Sequence, residues 1–203
     1  MFWIKLGILL TGFTYAGLLP FYLSKFLKHI DFDLKSQTLS FLSNKHLYGK
    51  KYKRGYRRLL FLTAFLNYVF FALLAEFYEL GEYESIIRYI DYTFALLILL
   101  GFIPHNMSPF GFRFLSENIQ RILHNVLAGL VFISLPILIV NFQLALYYDL
   151  LFQGLIGLII IGITILSTAW FIMKQGVNGF AEIIFINGIS IWSIFTTIIT
   201  ILR

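Results

Sequence analysis

Cysteine is absent from this chain, and its absence excludes several kinds of chemistry. There can be no disulfide framework, no thiolate metal site and no cysteine nucleophile. The chain also lacks the Walker phosphate loop, the H-E-x-x-H zinc motif and the G-x-S-x-G nucleophile motif. None of its four histidines pairs at the i, i+4 spacing of a helical metal site. We therefore predict no metal and no cofactor, and whether the protein is an enzyme stays open.

Charged residues are also scarce. They make up 13% of the 203 residues, whereas hydrophobic residues make up 59% and the mean hydropathy is +0.83. A soluble domain normally has about a quarter of its residues charged, because its surface faces water. This composition indicates a chain whose surrounding solvent is mostly lipid.

The apolar residues are concentrated in six long runs. A helix of about 20 residues crosses a hydrocarbon core of ~30 Å, and each run is long enough to do so. We predict spans at 2–24, 58–80, 86–104, 118–141, 147–173 and 179–202. The predicted fold class is therefore all-α, a polytopic transmembrane helical bundle of six spans that forms a single domain over 1–203.

The basic residues lie mostly on one side of these spans. Thirteen of the 16 Lys and Arg residues fall in or next to the connections between spans 1 and 2, 3 and 4, and 5 and 6. Lys5, Arg88 and Arg203 are the three on the other side. Since short loops rich in Lys and Arg stay in the cytoplasm, we predict that both termini face outward.

Most of this bias comes from the predicted cytoplasmic loop 25–57. Juxtamembrane Lys and Arg attract anionic lipid by about 1 kcal/mol each near the surface. The alternatives are that the basic residues only fix the topology, which their count alone favours, or that the loop docks a protein partner. We predict no nucleic-acid partner, because the sequence offers no folded basic domain.

Among the ionisable residues inside predicted spans, where a charge is costly and a functional role is the first hypothesis, two stand out. His124 in span 4 and Glu182 in span 6 have similar predicted depths from the cytoplasmic side. We predict that they line a lipid-binding pocket together with Asn125 and His105. The structural alternative is that these groups form hydrogen bonds between helices, at roughly 0.6–2 kcal/mol per contact.

Arginines near the same side could hold a lipid phosphate through the bidentate guanidinium group. The predicted phosphate ligands are Arg54, Arg57, Arg58, Arg113 and Arg121.

Short segments along nearly the whole chain resemble a known family. They are Leu39–Ser43, Gly101–Pro104, Leu123–Ala128 and Gly179–Glu182, with Trp192 in span 6. In this order they are similar to a bacterial six-helix membrane family, domain of unknown function nine-nine-eight. That family is itself similar to the group of autophagy modulators and a GPI-lipid remodelling protein. The resemblance implies six helices, a histidine-bearing pocket and a bacterial plasma (inner) membrane location. It also implies that the first loop lies outside the cell. The charge count predicts the opposite, and we retain the prediction from the charge count.

Three functions remain open from the sequence. The first is an integral membrane protein that binds or handles a lipid, with anionic membrane lipids as partners, at the cytoplasmic leaflet. The second is an oligomeric channel or pore-forming effector, built from several copies of the chain. The third is a regulatory subunit that docks a protein partner through loop 25–57.

Overall fold

A computed structural model describes residues 1–80, 84–103, 105 and 115–203. Within these ranges the chain forms six α-helices and one short 3-10 helix, at Leu39–Ser43. The α-helices are α1 Phe2–Leu27, α2 Lys45–Phe77, α3 Glu84–Phe102, α4 Leu115–Asp149, α5 Leu151–Gln175 and α6 Gly179–Leu202. All six are long and apolar enough to cross a membrane. The all-α, six-span prediction is therefore confirmed, and the protein is an integral membrane protein.

Helix α2 begins well before the predicted start of span 2 at residue 58. The side chain of Asn44 caps it, because its Oδ1 accepts hydrogen bonds from the backbone N–H groups of His46 and Leu47 at 2.9 and 3.4 Å. The basic run that follows consists largely of Lys and Arg, which are good helix formers although they are not apolar. Gly49, with φ 85° and ψ 172°, kinks α2 between this capped first turn and the cationic helix that continues into span 2. The second half of the predicted loop is thus largely helical.

Helix α4 also exceeds its prediction, since it continues beyond residue 141 to Asp149 and α5 starts two residues later. The polar residue Gln143 lies in this extension and is buried. Its side chain occupies the space that a Cβ at position 157 of α5 would need, so Gly157 makes room for it. The predicted connection between spans 4 and 5 is therefore helical. Only Leu150 separates the two helices, which pack closely against each other.

The helices form a ring in chain order. Each packs against the next, and α6 returns to pack against α1. Along the helix axes the ring has two halves, and one of them holds both chain termini. Four fully buried aromatic side chains fill the centre of that half. Trp192 stacks on Phe71 with ring centroids 5.4 Å apart, and it meets Phe70 and Phe142 edge-on at 6.2 and 6.0 Å. This half is therefore a packed core.

Candidate functional site

In the half away from the chain termini, the helices enclose a cavity of about 110 Å³. Its wall comes from α1, the 3-10 helix, α2, α3, α4 and α6, and it is mostly apolar; Leu23, Leu60, Leu97 and Leu135 are representative. An apolar cavity of about 150 Å³ accepts a benzene-sized guest. The space here accordingly suits one hydrocarbon chain segment better than two.

His124 and Glu182 both line this cavity, as do the hydroxyl-bearing residues Ser40 and Thr63. The two ionisable residues take different hydrogen-bond partners. Nδ1 of His124 lies 2.5 Å from the backbone carbonyl oxygen of Ile103, at the end of α3. Because a carbonyl only accepts, Nδ1 must carry the proton, which fixes the ring orientation. Nε2 is buried and has no hydrogen-bond partner among the described residues.

The carboxylate of Glu182 accepts a hydrogen bond from the backbone N–H of Leu39. This contact joins the 3-10 helix to the first turn of α6, where a negative charge also favours the helix N-terminus. A second contact lies beside it, because the N–H of Gly179 donates to the carbonyl of Gln37 at 2.8 Å. A Cβ on Gly179 would stand 2.6 Å from Leu34, so glycine permits this close approach. Glu182 thus anchors the segment that closes one end of the cavity.

His105 follows the end of α3 and packs against the same closing segment. Its ring stacks on Phe41 at 4.7 Å and meets His124 edge-on at 5.3 Å, and its backbone N–H donates to Ser43 Oγ at 2.8 Å. Burial lowers the pKa of His105 to about 4, and the nearby His124 and Arg121 contribute to the lowering. The neutral imidazole is therefore the form that fits this position near pH 7.

A second, more polar cavity of about 60 Å³ adjoins the first. Both cavities are lined by Tyr56, Leu60, Leu100 and His124. The second one, which we name the vestibule, is also lined by Ser43, Lys53, Arg57, Gly101 and Phe102. The first cavity, which we name the chamber, is therefore apolar, the vestibule is cationic, and the two share a wall that includes His124.

The structure places the predicted site residues unequally. His124 and Glu182 share the chamber, His105 contacts His124, and Arg57 lines the vestibule. Asn125 does not join them: it is exposed on the outer face of α4, because one residue along a helix turns the side chain by about 100°. Arg54 and Arg58 are exposed and do not line either cavity. Arg121 is half-buried, near His105, and Arg113 lies outside the described residues.

Three contributors to this site are not predicted by the sequence. Lys53 falls within the predicted loop, and only the helical start of α2 puts it four residues before Arg57 on the same face. Thr63 is one of many threonines in the spans, and nothing in its neighbourhood distinguishes it. The position of Ser40 in the cavity wall depends on how the segment between α1 and α2 folds back over the cavity. That fold requires the tertiary contacts with α6.

These features define an α-helical integral membrane protein with an internal apolar chamber and a cationic vestibule. No family model, no curated protein and no solved structure matches this chain. Its function is therefore inferred from the geometry of the two cavities.

Proposed function

We propose that the protein binds a membrane lipid, with one hydrocarbon chain in the apolar chamber and an anionic headgroup at the vestibule. The observation that carries this proposal is that the apolar chamber and the cationic vestibule lie side by side and share four lining residues, His124 among them. A phospholipid has the same order of parts, since an apolar chain is followed by a polar backbone and then by a phosphate. Binding alone accounts for these features, and no reaction is needed to explain them.

Charge at the vestibule supports the headgroup assignment. Arg57 is exposed and Lys53 is half-buried, so both cations remain accessible to a phosphate at the membrane surface. A hydrogen bond to a charged group contributes about 1.5–3 kcal/mol, and each 1.4 kcal/mol is tenfold in affinity.

Arg57→Gln should therefore weaken binding of 1-oleoyl-glycero-3-phosphate about tenfold, since one phosphate contact is lost. Binding of the uncharged lipid 1-oleoylglycerol should not change. Native mass spectrometry of the detergent-solubilised protein, titrated with each lipid, measures both affinities. Arg58→Gln is the matched control, because Arg58 is also exposed but does not line the vestibule. Equal losses for the two variants would contradict the headgroup assignment.

We further propose that the vestibule faces the cytoplasmic leaflet of a bacterial inner membrane, with both termini outside. The asymmetry of the basic residues supports this orientation. Because the chain has no native cysteine, single cysteines at Lys28 and Asp149, both exposed, report the two sides cleanly. In intact cells an impermeant maleimide should label Asp149→Cys and leave Lys28→Cys unlabelled. The reverse labelling pattern would mean that the topology is the opposite of the one proposed.

The other two functions stay predictions, as does the resemblance to the six-helix family. The packed aromatic half of the ring disfavours a water path through one copy, so a channel would have to form between copies. A regulatory subunit that docks a partner through the basic segment would not require the chamber.

A further inference from the structure

The junction between the chamber and the vestibule contains an unused hydrogen-bond acceptor. His124 is 1% exposed, and its Nε2 has no partner among the residues that the structure describes. With the proton on Nδ1, which donates to Ile103, Nε2 of the neutral ring can only accept. A buried polar atom left without a partner costs free energy, so this atom calls for a donor from a ligand.

A second unpaired polar atom lines the same chamber. Thr63 is buried, and its Oγ1 has no partner within the described part of the chain. Thr63 lies seven residues beyond Tyr56 on α2, so it shares a helix face with a residue that lines both cavities. Two residues of the wall therefore each carry a polar atom with no partner among the described residues, and the atom of the neutral His124 ring is strictly an acceptor.

We propose that the bound lipid carries a free hydroxyl on its backbone, which donates a hydrogen bond to His124 Nε2. This inference rests on the proposed lipid-binding function, since it needs a chain in the chamber and a phosphate at Lys53 and Arg57. The part of the lipid between chain and phosphate is its glycerol backbone, and this part would lie at His124. An ester at that point offers only acceptors, whereas a free hydroxyl offers the required donor. The ligand class is accordingly a single-chain anionic glycerolipid.

The size of the chamber agrees with this class. About 110 Å³ suits one chain segment, and an unesterified hydroxyl is what remains when the second chain is absent. The missing second chain and the free donor are thus two consequences of the same chemical structure.

A matched pair of ligands tests the hydroxyl directly. The probes are 1-O-octadecyl-glycero-3-phosphate and its 2-O-methyl ether, which differ only in the hydrogen-bond donor and one methyl group. We expect the wild-type protein, solubilised in detergent and titrated by native mass spectrometry, to bind the hydroxyl form roughly fivefold to tenfold more tightly.

A variant separates the hydrogen bond from the bulk of the methyl group. In His124→Asn the side-chain amide can still donate to Ile103 from near the position of Nδ1, but the acceptor at Nε2 is lost. The variant should bind both lipids alike, at the weaker affinity. If the variant does not fold, a 2-deoxy analogue of the lipid, which lacks the donor and adds no bulk, takes its place: the wild-type protein should bind it as weakly as the methyl ether, and binding as tight as that of the hydroxyl form would overturn the inference.

The outcomes are distinguishable. Equal wild-type affinities for the two lipids would overturn the hydroxyl inference and leave the lipid-binding function standing. A preference that persists unchanged in folded His124→Asn would also overturn it, because the methyl group alone would then explain the difference. Binding of neither lipid would overturn both the inference and the proposed function.

Discussion

Replacing Ala128 with phenylalanine should strongly weaken lipid binding while the protein stays folded. Ala128 lines the chamber one helical turn beyond His124, and the added ring would occupy the space assigned to the hydrocarbon chain. We expect a loss of at least about tenfold in affinity for 1-oleoyl-glycero-3-phosphate, because the chain could no longer be buried at ~0.8 kcal/mol per methylene. Filling a cavity commonly adds about 0.5–2 kcal/mol of stability, so the melting temperature should not fall.

Ala169→Phe provides the matched control. Ala169 lies in α5 on an exposed, lipid-facing surface, so the same substitution there leaves the chamber empty. This control should bind lipid as the wild-type protein does. A folded Ala128→Phe protein that retained wild-type affinity would show that the chamber is not the binding site.

Trp192→Ala should strongly destabilise the protein. The indole is fully buried and contacts three aromatic rings, and removing such a side chain costs about 3–5 kcal/mol through lost burial and the cavity left behind. With the Gln143 amide oriented to satisfy its neighbours, its oxygen also accepts from the indole N–H at 2.8 Å, and this bond would be lost. The melting temperature in detergent should fall by about 6–20 °C.

Trp170→Ala is the control for the loss of a tryptophan as such. Trp170 lies in α5 and is 62% exposed to the lipid side, so its removal leaves no cavity in the core. Its melting temperature should stay within about 2 °C of the wild-type value, since surface substitutions usually change stability by under 0.5 kcal/mol. Equal shifts for the two variants would mean that the aromatic half of the ring is not the stabilising core.

Hydropathy alone predicts all six helices, because a lipid environment makes backbone hydrogen bonding and side-chain apolarity the dominant constraints. The same reasoning identifies His124 and Glu182, since an ionisable residue stands out against an apolar run. Where the chain leaves the hydrocarbon region this signal fails. The start of α2 and the end of α4 are helical for reasons of capping and packing, which hydropathy does not register.

The role of Glu182 could not be predicted from its position in the sequence. Its partner is a backbone N–H in the segment before α2, separated from it by more than half of the chain. Likewise, proximity to His124 in the sequence favours Asn125 as a site residue, although adjacent helical residues face different directions. Side-chain direction and long-range backbone contacts decide which polar residues share a site, and both depend on the assembled ring.

Photocrosslinking with a single-chain glycerophosphate lipid, bearing a diazirine near the end of its chain, tests the central claim most directly. If the chamber holds the hydrocarbon chain of the lipid, the crosslinked peptides should contain inward-facing residues such as Leu60, Leu97 and Leu135. An excess of the unlabelled lipid should suppress these crosslinks. Crosslinks confined to outward-facing residues such as Ile163 and Leu166, and insensitive to competitor, would contradict the account.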